Sequence, residues 1–110
     1  MTKLTQIPIG SAPRGTARFA AFLEASPEQC SKLLGIRFER VRDDLDDLDA
    51  AQIRTESGVY ASLGFYINAP RKGLHVFINE KSDSPKQDLE QVLEAIGGAC
   101  GPVIWKDPQL

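Results

Sequence analysis

AAQIRTESGVYASLGFYI, residues 50–67, decides how this chain folds. Ala51, Ile53 and Thr55 fall on one side of an extended segment, and Val59, Ala61, Leu63, Phe65 and Ile67 on one side of the next. A hydrophobic period of two marks a half-buried strand. The two sets share a face only if Thr55 stands opposite Val59 and Ile53 opposite Ala61. That pairing leaves Glu56, Ser57 and Gly58 as a three-residue loop. Glycine at its third position suits the left-handed residue of a type I turn with a G1 bulge. A two-residue Ser-Gly turn would drive Arg54 and Glu56 into the core. The segment therefore reads as a hairpin.

The pattern continues on the C-terminal side. LHVFINE puts Leu74, Val76 and Ile78 on one side. Pairing Phe65 with Val76 and Ile67 with Leu74 leaves a loop of Ala69, Pro70, Arg71 and Lys72. Elsewhere the period changes to 3.6. SPEQ (26–29) and SPKQ (84–87) each offer Ser as N-cap, Pro at the first helical position and Gln three residues on, a capping box with proline inside. The second runs on with Leu89, Val92, Leu93 and Ile96 on one stripe and Gly97 as its stop, the first as CSKLLG with Gly35 as its stop. Upstream, GTARFAAFLEAS carries Phe19, Phe22 and Leu23 at helical spacing, with Thr16 as cap. Residues 36–42 and 103–106 are further strand candidates. The expected fold is α+β, a mostly antiparallel sheet of about five strands. Two N-terminal helices and one C-terminal helix pack on one face, in the order ααββββαβ. Residues 1–110 read as one domain, with 1–12 as an extended arm.

Composition excludes several classes. A 110-residue chain buries roughly 65% of its unfolded surface in one core. Its 42% hydrophobic and 25% charged content is that of a folded domain rather than a disordered one. The net charge of −2 gives no footprint for nucleic acid. Charge is uneven, however: residues 1–42 carry +4 and residues 43–56 carry −5. Residues 57–70, the longest uncharged stretch, are too short for the ~20 apolar residues of a membrane span. MTKLTQIPIG lacks the apolar core of a signal peptide. Cys30 and Cys100 form no Cys-x-x-Cys motif, and two reduced thiols in a cytoplasmic protein are expected.

The hairpin registers also specify what points away from the core. Gln52, Arg54, Tyr60, Ser62, Tyr66, His75 and Phe77 share the opposite face, with Tyr66 across from His75 and Tyr60 across from Arg54. A wet sheet face seldom needs two tyrosines, a histidine and a phenylalanine. Aromatic residues and Arg dominate binding hot spots. Three readings stand: the face is covered by LTQIPI or a helix, it pairs with a second copy, or it receives another protein or a small ligand.

Asp43, Asp44, Asp46, Asp47 and Asp49 crowd into seven positions. They do not make a calcium loop: counted from Asp44, the glycine position holds Asp49 and the twelfth holds Thr55. Leu45 and Leu48 with Ala51 suggest a single helical turn capped by Asp43 or Asp44, a solvated connector. The other readings are a docking ridge for a basic partner, which would act mainly on association rate, and an irregular divalent site.

No catalytic constellation stands out. His75 is the one histidine, and a Cys30–His75 dyad has nothing in the sequence to bring it together. Zinc wants three or four Cys or His ligands from a chain holding three such residues. GGACGP (97–102) follows a helix instead of opening one, so it lacks the helix N-terminus of a phosphate loop. In length, acidic patch and helix-plus-sheet layout the chain resembles bacterial immunity and inhibitor proteins. The resemblance implies binding to another protein. The expectation is a non-enzymatic protein-binding domain without cofactor or metal. It would use the Asp43, Asp44, Asp46, Asp47 and Asp49 ridge for steering and the Arg54, Tyr60, Tyr66, His75 and Phe77 face for contact. The alternative is a homodimeric domain that binds a small ligand on the aromatic face. Neither reading involves nucleic acid or a membrane.

Overall fold

The computed structural model describes residues 4–11, 17–42, 46–97 and 101–110. Its elements run β1 (Leu4–Ile7), β2 (Ala17–Leu23), α1 (Pro27–Leu34), β3 (Glu39–Arg42), β4 (Asp47–Thr55), β5 (Tyr60–Tyr66), β6 (Leu74–Asn79), α2 (Pro85–Ile96) and β7 (Val103–Lys106). The fold is α+β with a mostly antiparallel sheet. Among the described residues that sheet has seven strands rather than about five, and the helices are two rather than three. The spatial order is β1-β4-β5-β6-β2-β7, and β3 pairs with β4 beside β1. β1 takes the C-terminal half of β4 and β3 the N-terminal half, so the sheet is six strand positions wide.

The central hairpin has the register its turn chemistry requires. Ile53 faces Ala61 and Arg54 faces Tyr60. The Thr55 amide donates to the Val59 carbonyl at 2.8 Å, and Gly58 takes φ +94°. Thr55 is buried, and its Oγ1 accepts from the Val59 amide at 2.9 Å. The next ladder is displaced by two residues from expectation: Leu63, not Phe65, faces Val76, and Gly64, not Tyr66, faces His75. A shift of two preserves the side each residue faces. The longer loop is fixed by Asp46, whose carboxylate accepts from the Asn68 amide at 2.9 Å and from Asn68 Nδ2 at 2.7 Å.

The largest correction concerns residues 17–23, which are strand β2 and not a helix. Phe19 faces Phe77 and Phe22 faces His75, with Ala20 as the extra residue of a β-bulge between them. A bulge inserts one residue against the partner strand and so converts period two into a local spacing of three. That is why Phe19 and Phe22, both facing outward, fall at helical spacing, with the core-facing Leu23 completing an apparent helical stripe. The helical turn expected around Leu48 and Ala51 is likewise overturned, since residues 47–55 are all strand; Leu45, the third residue of that expectation, lies outside the described residues. The strand expected at 36–42 is shorter, Glu39–Arg42. The segment expected as an arm contributes β1, with Leu4 buried against the core.

Both helices pack on one face. Cys30 and Leu34 of α1 and Leu89, Val92 and Ile96 of α2 join Leu23, Ile53, Leu63, Leu74, Val76 and Ile78 in one core. Ser26 caps α1 by accepting from the Gln29 amide at 3.2 Å, and Gly35 ends it in the left-handed region at φ 67°. At α2 the expected capping box does not form: Ser84 makes no side-chain cap bond, and the Ser82 hydroxyl donates to Asp88 instead. Among the described residues no helix is long and apolar enough to cross a membrane.

Candidate functional site: an open aromatic sheet face

Because Leu74, Val76 and Ile78 turn inward, His75 and Phe77 must turn outward, away from the helices. The ladder then brings Phe19 beside Phe77, Phe22 beside His75 and Trp105 of β7 beside Phe22. Six aromatic side chains from four strands thus form one patch. The His75 ring is its centre, with centroid distances of 4.9 Å to Tyr66, 5.0 Å to Phe19, 5.0 Å to Phe22 and 6.4 Å to Phe77. Phe19 also lies 4.8 Å from Trp105 and 5.7 Å from Phe77. Contacts of this kind contribute ~0.5–1.5 kcal/mol each beyond area burial.

The patch is far from uniformly covered. Phe19 is 37% exposed and Trp105 39% exposed. Fully burying such a side chain is worth ~1.5–3 kcal/mol, so both forgo much of that stabilisation in the isolated chain. Phe22, by contrast, is buried because it lies over Gly73, where any Cβ would collide with its ring, and because the Arg71 guanidinium sits 5.7 Å above it. The strand residues of LTQIPI lie at the sheet edge, beside β4, and just beyond them the Gly10 amide donates to the Gln52 side chain on this face at 3.0 Å.

The middle of the β4 and β5 half of the same face is low. Here stand Ala50, Gly64, Ser62 and Gln52, flanked by Leu48. A Cβ at Gly64 would lie 2.9 Å from Leu48 Cδ1 and 4.0 Å from Phe77. The face is therefore an aromatic ridge on β6, β2 and β7 beside a shallow trough at the middle of β4 and β5, between Tyr66 at one end and Arg54 and Tyr60 at the other.

His75 is half-buried, and its Nδ1 is shut off from solvent without a hydrogen bond. Burial among the rings lowers the imidazole pKa below its ordinary 6.5; the carbonyls of Gly73 and Gly64 oppose the shift more weakly. A Cys30–His75 dyad is not formed. Cys30 is fully buried on the helix side, with the sheet between it and the imidazole. Among the described residues no three His, Cys, Asp or Glu converge to hold a metal ion.

Of the five aspartates, Asp46, Asp47 and Asp49 are among the described residues. Asp43 and Asp44 lie outside the described residues, as does Cys100. Asp46 is committed to the Asn68 amides and to the Asp47 amide at 2.8 Å; these hydrogen bonds, those from Asn68 first, hold its pKa below the ordinary carboxylate value. Asp49 pairs with Arg40 at 2.7 Å, which raises the guanidinium pKa. Asp47 and Asp49 alternate with Leu48, which projects to the aromatic face opposite Tyr66.

Of the contact residues expected from sequence, Arg54, Tyr60, Tyr66, His75 and Phe77 do share one face. Phe19, Phe22 and Trp105 were not anticipated there. Their signal was available only once β2 is read as a bulged strand and β7 is placed beside it. Comparison of the chain with family models, with curated proteins and with solved structures finds no match.

Proposed function

We propose that this chain is a non-enzymatic protein-binding domain whose contact surface is the open aromatic sheet face. The observation that carries the reading is the contiguous patch of Phe19, Phe22, Tyr66, His75, Phe77 and Trp105, with two of its largest members more than one-third exposed. Buried aromatic anchors are the usual energetic centre of a protein interface. Asp46 and Asp49 of the acidic run lend little to this surface, because their carboxylates are already engaged within the fold. A small ligand on the same face draws less support. The rings touch one another in a chain of contacts rather than standing around a space.

The test is site-specific photo-cross-linking in the cell of origin. p-Benzoylphenylalanine is placed at position 105 on the ridge or, as control, at position 90 on the exposed side of α2. The expected result is a discrete protein adduct from position 105 and none from position 90. No adduct from 105, or the same adducts from both positions, overturns the reading.

A further inference from the structure

Resting on that assignment of the contact face, we infer that its occupant is a second copy of this chain, docked about a two-fold axis that lays each aromatic ridge into the other's trough. Three properties of the face lead there. The first is shape. Counted across the sheet in one row, the outward residues are Glu39, Ala50, Gly64, His75, Phe22 and Trp105. The left half of this row is small or flexible and the right half is aromatic. A two-fold parallel to the strands, passing between β5 and β6, reverses the row. His75 then faces Gly64 of the second copy, and Phe22 faces Ala50. In the neighbouring row, Phe77 faces Ser62 and Phe19 faces Gln52 by the same operation. In these rows His75, Phe22, Phe77 and Phe19 each meet a small or flexible side chain, twice over, as an isologous interface requires, and Trp105 comes opposite Glu39.

The second property is charge. Arg71 stands over Phe22 at the ridge end, and Glu39 stands beside Ala50 at the trough end. The same axis that sets Phe22 over Ala50 brings Arg71 within reach of Glu39 of the second copy, and its mate likewise. The face is thus complementary to itself and not merely apolar.

The third is area. Six strand positions ~4.8 Å apart and strands of seven residues at ~3.4 Å each give a face of roughly 700 Å². A standard stable interface buries ~800 Å² per partner, so the face alone is close to sufficient. Two sheets stacked at ~10 Å leave room for one interdigitated layer of side chains, which is what ridge and trough provide.

The experiment is sedimentation velocity on the full chain across the micromolar range, with Glu39→Arg and Arg71→Glu as variants. Both positions are exposed, so neither change disturbs the core. Wild type is expected to form a dimer of twice the 12.1 kDa chain mass. Each variant alone sets like charges against each other twice and weakens the dimer by ~10-fold or more. An equimolar mixture of the two variants places opposite charges at both contacts and recovers wild-type association. A wild-type dimer that ignores both variants, or a mixture no stronger than its components, overturns the geometry. A chain monomeric throughout, yet cross-linking from position 105 to a different protein, overturns the second copy while leaving the contact face standing. A monomer with no adduct from 105 removes both.

Discussion

Gly64 stands directly opposite His75 in the β5–β6 ladder, so the residue most crowded by rings has the barest possible neighbour. Gly64 and Gly73 both lack a side chain under the aromatic face, but for different reasons. At Gly64 the nearest obstacle to a Cβ is Leu48 Cδ1, the free end of a flexible side chain. Gly64→Ala should change unfolding free energy by less than ~1 kcal/mol while weakening self-association ~5-fold, because the added methyl rises into the trough. At Gly73 a Cβ meets the Phe22 ring and, at 2.7 Å, the Leu23 carbonyl oxygen, which is backbone and cannot yield. Gly73→Ala should destabilise the monomer by ~2–3 kcal/mol. Urea midpoints and sedimentation on the same samples separate the two effects.

The hairpin turn hangs on a buried hydroxyl. Thr55 Oγ1 accepts from the Val59 amide and shares a hydrogen bond of 2.8 Å with the Ser57 hydroxyl. Thr55→Val keeps the shape but leaves that amide without its side-chain partner. The expected loss is ~1–3 kcal/mol in equilibrium unfolding.

Stability should depend on pH in two separate windows. The folded His75 imidazole titrates below 6.5, so between that folded value and 6.5 the unfolded chain binds a proton that the folded chain does not. Its contribution is therefore complete above about pH 6.5 and is lost as pH falls through the folded value. Asp46 and Asp107 are depressed from 3.8, Asp107 by the Gln109 amide first and Arg18 second. Their support persists to lower pH and is lost only below about 3.8, as pH falls through their folded values. Urea midpoints from neutral to acidic pH should fall in two steps for wild type. His75→Gln should abolish the upper step and keep the lower one.

Cys30 is fully enclosed between α1 and the sheet. A thiol in such a place is inert, whereas a catalytic one is accessible and electropositively placed. Alkylation at Cys30 should be slow near neutral pH and should speed up only with global unfolding. Rapid labelling of the folded chain at that position would contradict the core as described.

Local chemistry was legible in the sequence; long-range placement was not. Glu56, Ser57 and Gly58 specify both the loop length and the register of Ile53 against Ala61, because only one turn fits both. The alternation of Leu74, Val76 and Ile78 separates inside from outside even though the ladder is displaced by two residues. The bulge at Ala20 defeats the same logic in β2, since one inserted residue makes a strand's outward set look helical. Asp46, Asp47 and Asp49 drew attention as a charge run, yet the fold uses Asp46 as a clip for Asn68 and Asp49 as a partner for Arg40. Nothing local announces that β7 lies beside β2, and without that neighbour Trp105 has no place in the patch.

Trp105 is the chain's single tryptophan and sits at the edge of the ridge, 4.8 Å from Phe19. Its fluorescence therefore reports directly on whether the aromatic face is covered. The decisive measurement is acrylamide quenching of Trp105 across a dilution series, with mass followed by sedimentation on the same samples. Quenching should be strong in dilute monomer and should fall in step with dimer formation. A dimer in which Trp105 remains as accessible as in the monomer would contradict the account, because association would then use some other surface.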